Sequence, residues 1–469
     1  MSTASAANLL AAAAATSRFV EAARPVRATY RDFVLDTIAV MAAGAAHPSL
    51  APVRTAFMAT ESVGRCSAVG FAERCPASVA GLVNGAAMTV LQLQDGHRRA
   101  RGHPMSHVLP AALAIAEEIQ ASAAAFLDAV MAGYEVSTRI GASLGGMQPL
   151  LHDTGTFGCI GAAVAAAHLL GHKLEQTKHQ ALIEAAIGNA AAIALFPFRD
   201  TCMEGATVHH LFVGLGVQNG ITAARGALAG LRPSAATLER FFGPRAGEDF
   251  NPSLMVEGID ADQRWGRYEI MSAYLKWHPV CAHLGPMLDC IEALRDRLGG
   301  FDPAQIKQVQ VHVYATALEY DSPNPASDLA ARFSFRHAAA LSLRFGPLQH
   351  DSFADDRLRH PDTETLAAKV TLQAAPRFDA LYPANRPARV TLDFSDGSEE
   401  TAEVLVPKGD GDRALTRTDI DTKARLLMDA AWGAGHYNII RTLVAEIENV
   451  PSPDLPARLG HALRWPFVA

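Results

Sequence analysis

No C-x-x-C pair occurs in this chain, and its six cysteines lie scattered at positions 66, 75, 159, 202, 281 and 290. That spacing excludes the familiar zinc frameworks, so no metal is expected. It fits buried, reduced thiols in a cytoplasmic protein. Basic residues are outnumbered: 41 Lys and Arg face 48 Asp and Glu, for a net charge of −7. With no basic stripe, nucleic acid is excluded as a partner. Long apolar runs are also missing. The run at 158–170 is built of small residues, carries His168 and falls short of the ~20 residues a membrane span needs. No membrane association is expected. The alanine-rich segment 8–16 has neither a basic n-region nor a strong apolar h-region, so it reads as a first helix and not as a secretory leader.

What is present is a large apolar store. Hydrophobic residues make up 49% and charged residues 19% of 469 positions. A chain this long divides into more than one core. The first ~260 residues read as helix after helix. Segment 31–43 places Val34, Leu35, Ile38, Ala39 and Met41 at near-helical spacing. Segment 109–119 carries Pro110 in its first turn and Glu117-Glu118 on its polar side, and segment 121–144 continues the pattern. Segments 158–170, 179–195 and 211–228 are rich in Ala and Gly, which lets helices approach closely and places these three at the centre.

The pattern changes after Tyr268. Val309, Val311 and Val313 alternate with polar residues, the period of a half-buried strand. Segment 369–373 is a second strand candidate. Segments 388–394 and 399–406 flank Asp396-Gly397, a hairpin turn signal. Helices are expected at 330–345 and 363–368, and again from Asp419 to Glu448. The expected fold is mainly α. A large all-helical domain is built from both chain ends, 1–266 and 409–469, because a terminal helical segment of ~50 residues is too small to fold alone. A smaller α+β domain spans 267–408.

Four segments carry chemistry. The first, 84–110, packs Asp95, His97, Arg98, Arg99, Arg101, His103 and His107 into a loop before a helix. Helix N-termini favour anions, and arginines add bidentate carboxylate recognition. The bland alternative is a solvated polar loop. The second, 151–158, sets His152 beside Thr154-Gly155-Thr156, either an acid–base group or an ordinary helix start capped by one of the threonines. The third holds His209-His210, which point ~100° apart on a helix; one of them is expected to be solvated. The fourth, 274–285, contains Lys276, His278, Cys281 and His283 in no familiar zinc spacing.

Taken in order, these segments resemble the MmgE/PrpD family. Its signatures N-G-A-A-x-H-A-L-D-x-D-D-x-H, H-P-S-x-x-V-L-P-A, H-x-T-G-T-x-G, G-T-x-x-K-x-L-H-x-G and K-x-Y-P-x-C fall at 84–97, 103–111, 152–158, 205–214 and 276–281. The similarity runs from about Val34 to beyond Ala340. The resemblance implies a large helical domain, a smaller α+β domain, a site between them and a homodimer. It also implies a cofactor-independent enzyme acting on small polycarboxylates: 2-methylcitrate dehydratases, cis-aconitate decarboxylases and iminodisuccinate epimerases are all members.

The same resemblance makes His103 and His152 the acid–base pair and Lys276 the holder of a carboxylate. Asp95, His97, Gln92, His209 and Tyr320 fall on or near substrate-binding positions. The chain departs from the pattern where Gln92 and Gln94 replace acidic residues, Gly96 stands where Thr is common, His209 replaces a lysine and Phe212 a histidine. Glutamine hydrogen-bonds but cannot take a proton as aspartate does. The leading expectation is a lyase, a dehydratase or decarboxylase. A two-base epimerase of an amino- or imino-dicarboxylate tolerates the lost acid better. A carboxylate-binding homologue without turnover is the third reading. His209 is expected to serve as a weaker, pH-dependent cation in place of the lysine.

Overall fold

In the computed structural model, which describes residues 5–58, 64–449 and 452–464, the helix Phe157–Leu170 is the axis of the larger core. It is buried from Phe157 to Leu169. The helices Met105–Ile119, Ala123–Ser143, Gln176–Ile193 and His210–Leu228 pack around it. Small residues make this possible. A Cβ on Gly220 would lie 2.7 Å from the carbonyl oxygen of Cys159, so only glycine permits that backbone approach. The protein is mainly α, with a small sheet region. The outermost residues of segments 1–266 and 409–469 lie outside the described ones.

The chain returns to this core at its end. Helices Arg417–Trp432, His436–Ala445 and Leu455–Leu463 contribute Ile420, Ala424, Met428, Ile440 and Leu463 to the same hydrophobic cluster as Leu35 and Leu113. Buried Lys423 anchors the return. Its Nζ meets Asp36 at 2.7 Å and donates to the carbonyls of Lys276 (2.7 Å) and Leu93 (3.2 Å).

A second cluster forms around a four-stranded sheet in the order Val370–Ala374, Ile306–Val313, Ala388–Phe394, Glu399–Val404. The first pair is parallel and the others antiparallel. Val309, Val311 and Val313 are buried, as their alternation predicts. Helix Gly285–Leu298 packs on the sheet, and Phe335–Phe345 packs against that helix.

Several local expectations are corrected. The helix containing Pro110 begins at Met105, so Pro110 lies in its interior. The buried Asp95 carboxylate sets that start by accepting the amides of Met105 (3.1 Å) and Ser106 (3.2 Å), a long-range cap. The expected helix 330–345 is broken into Asp328–Ala331 and Phe335–Phe345, with the Ser334 hydroxyl capping the second at His337. Neither Thr154 nor Thr156 caps Phe157–Leu170: Thr156 occupies the cap position without a side-chain cap bond. Neither His209 nor His210 is solvated; both are buried. A short strand pair, Gly96–His97 with Ala273–Tyr274, ties the first chemical loop to the segment bearing Lys276. Among the described residues no single helix is long and apolar enough to cross a membrane. Arg24–Ala46 and Pro48–Met58 pass that test only together, bent by 78°.

Candidate active site

The loop between helices Ala77–Ala87 and Met105–Ile119 forms one wall of a cavity of about 420 Å³. Gln92 and Arg101 line it, and both hold positive φ (52° and 49°). Non-glycine residues adopt that backbone at a cost, and such strain gathers at functional sites. His103 closes the loop. Its Nδ1 lies against the Asp95 carbonyl oxygen, an acceptor only, so Nδ1 carries the proton and donates it. Neutral His103 therefore keeps its lone pair on Nε2. Burial and the nearby Lys276 hold its pKa well below the ordinary value.

A second segment lining the same cavity carries His152. Its backbone N–H bonds the carbonyl of Pro197 at 2.9 Å. Its Nδ1 accepts the amide of Thr154 at 3.2 Å and lies 2.8 Å from the Thr154 hydroxyl. An amide is a donor only, so this Nδ1 is the acceptor and the neutral ring carries its proton on Nε2. Burial, then Arg199 and Lys276, lower the His152 pKa to about 4. Asp153 lies 3.2 Å from the same Nδ1, and burial raises its carboxyl to about 7. One cavity thus receives two imidazoles fixed in opposite tautomers.

Lys276 enters from the segment leading to the sheet region. Its Nζ donates to Gln94 Oε1 (3.3 Å) and the Val280 carbonyl (3.4 Å). Burial lowers its pKa to about 7. Three arginines complete a cationic lining: Arg101, Arg199 and Arg386. Arg199 pairs with Glu319 at 3.0 Å, and Arg386 lies 3.7 Å from Asp410. Arg101 stacks over the Tyr382 ring at 5.6 Å. Tyr320 stacks on His283 with ring centroids 4.3 Å apart, and Arg199 lies over the Tyr320 ring at 5.2 Å.

The structure brings His103, His152, Lys276, Gln92 and Tyr320 to this cavity. Asp95 and His97 are elsewhere. Asp95 is fully buried as the cap of helix Met105–Ile119, its carboxyl pushed up to about 7 by burial. His97 bonds the Glu269 carbonyl (3.0 Å) and the Ala100 amide (3.2 Å), a structural role with its pKa lowered to about 4 by burial. His209 stands behind the wall, its ring 5.1 Å from that of His152 and its Nε2 3.2 Å from Gln92 Nε2. Burial, then the neighbouring His152, drive its pKa well below the ordinary value. His209 is therefore neutral near pH 7, and the expectation of a pH-dependent cation is corrected.

Sequence reasoning did not assign Arg101, Asp153, Arg199, His283, Tyr382 or Arg386. Arg101, Asp153 and His283 lie inside the segments it singled out. Arg199, Tyr382 and Arg386 arrive from distant segments with no local signal.

Two clusters of metal-ligating side chains occur among the described residues. His278, Asp289 and Glu292 form one. There His278 already bonds Asp289 (2.8 Å), which also takes the Lys408 amide and Arg413 (2.8 Å). His152, Cys202 and His209 form the other.

Residues 8–245 match the MmgE/PrpD N-terminal domain and residues 278–449 the MmgE/PrpD C-terminal domain. A cis-aconitate decarboxylase from Aspergillus terreus is 27% identical over 405 residues, covering 82% of this chain and 81% of that protein. A cis-aconitate decarboxylase-like protein, oryM, from Aspergillus oryzae is 24% identical over 446 residues, covering 89% of each.

Proposed function

This chain belongs to the MmgE/PrpD family, and we propose that it is a cofactor-independent lyase of small di- or tricarboxylic acids. The observation that carries the proposal is the opposed tautomers of His103 and His152 in one cationic cavity. Breaking a bond next to a carboxylate needs a base, an acid and a positive group for the developing charge. In dehydration, His103 Nε2 takes the proton from the carbon beside a carboxylate. The electron pair passes into the aci-carboxylate, which Lys276 stabilises. The hydroxyl then leaves as water with the proton of His152 Nε2–H. In decarboxylation, the C–C bond breaks and its pair enters the same aci-carboxylate. The carbon takes its proton from His152. In both, Asp153 returns a proton to His152 through Nδ1, so the ring stays neutral. Gln92 and Tyr320 hydrogen-bond the substrate, and Arg101, Arg199 and Arg386 attract its carboxylates.

The decarboxylase named among its relatives favours a tricarboxylate of the cis-aconitate kind. The same histidine pair also suits a two-base epimerase, and Gln92 and Gln94, in place of acidic residues, leave it no poorer for that reaction. The domain division, the homodimer and the cytoplasmic location belong to this proposal too. Two separate hydrophobic clusters, with the chain end joined to the first, support the division. Incubating the pure protein with cis-aconitate, 2-methylcitrate and iminodisuccinate in D₂O decides among the readings. Loss of CO₂ or water supports the lyase. Deuterium exchange with the skeleton retained identifies an epimerase, and binding without either change identifies a non-catalytic homologue.

A further inference from the structure

Behind the cavity wall, His152, Cys202 and His209 each offer one ligand atom, and all three atoms lie within 4.8 Å of one another. All three residues are buried. The Nδ1 of His209 is buried without a hydrogen-bond partner among the described residues. An unpaired buried polar atom costs stability, and a ligand would relieve it. Two imidazoles and one thiol suit zinc, cobalt or cuprous copper, not the oxygen-seeking magnesium or calcium. His152 also lines the cavity, so a fourth coordination position is open from that side.

We propose that His152, Cys202 and His209 bind a zinc-like metal ion, and that the bound ion removes His152 from proton transfer. The second half rests on the reading of His152 as an acid; the first does not. Tetrahedral bond lengths of roughly 2.0–2.3 Å set ligand atoms about 3.5 Å apart, so side-chain shifts of the order of 1 Å close the site. Cys202 now donates its thiol hydrogen to the Arg199 carbonyl at 3.0 Å. On binding, that proton leaves to solvent and the thiolate sulfur bonds the metal. Both histidines bind as neutral rings; His152 does so through Nε2, its proton moving to Nδ1, where the Asp153 carboxylate 3.2 Å away accepts it in place of the Thr154 amide contact. Gln92 now donates to the Thr89 carbonyl at 2.8 Å and to His209 Nε2; on binding it gives up the first bond and turns its amide, the His209 proton moves from Nδ1 to Nε2, and the Gln92 oxygen accepts it, the outer-shell contact that metal-bound histidines usually make. Lys276 and the arginines oppose a cation at this place.

The test is titration of chelator-treated full-length protein with Co²⁺, read by absorption, followed by Zn²⁺ displacement. Expected are tetrahedral cobalt bands, a thiolate-to-cobalt charge-transfer band and one equivalent bound. Cys202→Ser should remove the charge-transfer band, and His209→Gln should weaken binding at least tenfold. Absence of the charge-transfer band in the wild type overturns the site without recourse to any variant. Unchanged binding in folded Cys202→Ser and His209→Gln proteins overturns it as well. Activity is read separately with Zn²⁺. Loss of turnover in proportion to occupancy supports the second half. Full turnover with the site occupied overturns that half, leaves the metal site standing and removes the acid role of His152.

Discussion

The Nε2 atom of His107 accepts the amide N–H of Gly155 at 2.9 Å. The other nitrogen of the same ring donates to the carbonyl of His103 at 3.1 Å. His107 thus joins the two walls that carry the candidate acid and base, without lining the cavity itself. A Cβ on Gly158 would fall 2.3 Å from this ring, so the tie requires glycine there. His107→Ala is expected to lower kcat at least tenfold with KM changed less than threefold, because misplacing a catalytic group costs rate more than binding. Gly158→Ala should reproduce the pattern by displacing the ring. Steady-state kinetics on both variants check this, and an effect confined to thermal stability would reduce His107 to packing.

His103→Gln and His152→Gln should each lower kcat by about 10²–10⁴-fold, the usual worth of a positioned acid or base. Substrate binding by calorimetry should survive in both. Asp153→Asn should lower kcat less and shift its pH profile, since Asp153 acts through His152. If either histidine variant keeps more than a tenth of wild-type kcat, its place in proton transfer is lost.

Lys276 gives two pH effects of known sign. Its positive charge is lost as pH rises through about 7, so KM for a polycarboxylate should rise above neutrality. Lys276→Arg, charged throughout, should flatten that rise. In stability the unfolded chain binds a proton that the folded Lys276 does not, between about pH 7 and the ordinary lysine value of 10.5. Stability therefore gains with pH across that window, and the burden is fully present below it. Lys276→Met should raise Tm most at pH 6 and least at pH 10, while abolishing turnover. Melting curves across pH test the sign directly.

Asp95 accepts two amides and the Ser106 hydroxyl (3.1 Å) at the start of a buried helix. Asp95→Ala should destabilise the protein by about 0.5–2 kcal/mol, the range for a lost cap. Asp95→Asn, which keeps one acceptor oxygen, should fall between. Chemical denaturation measures both. A neutral Asp95→Ala would show that the helix start does not depend on the cap.

Prolonged chelation should leave turnover unchanged or raise it. The cavity already holds the proposed base and acid and a cationic lining of side chains. Activity abolished by EDTA and restored by a divalent ion would overturn the cofactor-independent reading.

Part of this is legible in the sequence. The alternation of Val309, Val311 and Val313 marks a strand because side chains in a strand change face at every residue. The small-residue segments mark central helices because only small side chains let backbones approach. His103, His152 and Lys276 were found through ordered motifs, and they line one cavity. Arg199 and Arg386 were not found, since no periodicity links positions almost 200 residues apart. Asp95 was misplaced for a related reason. Its motif position suggests substrate, but its carboxylate is spent on two amides ten and eleven residues away.

The sequence by itself determined the family, the mainly α fold and the residue types able to exchange protons and hold carboxylates. Those follow from composition, period and motif order, which are local properties of the chain. The protonation states were decided only in the tertiary structure. Histidine carries the same ordinary pKa at 103, 152 and 209 in an extended chain. Burial makes all three neutral, the Asp95 carbonyl and the Thr154 amide set His103 and His152 in opposite tautomers, and packing behind the wall removes His209 from the charge it was expected to carry. Desolvation and hydrogen-bond direction depend on what surrounds a side chain, and those surroundings exist only once distant segments have packed.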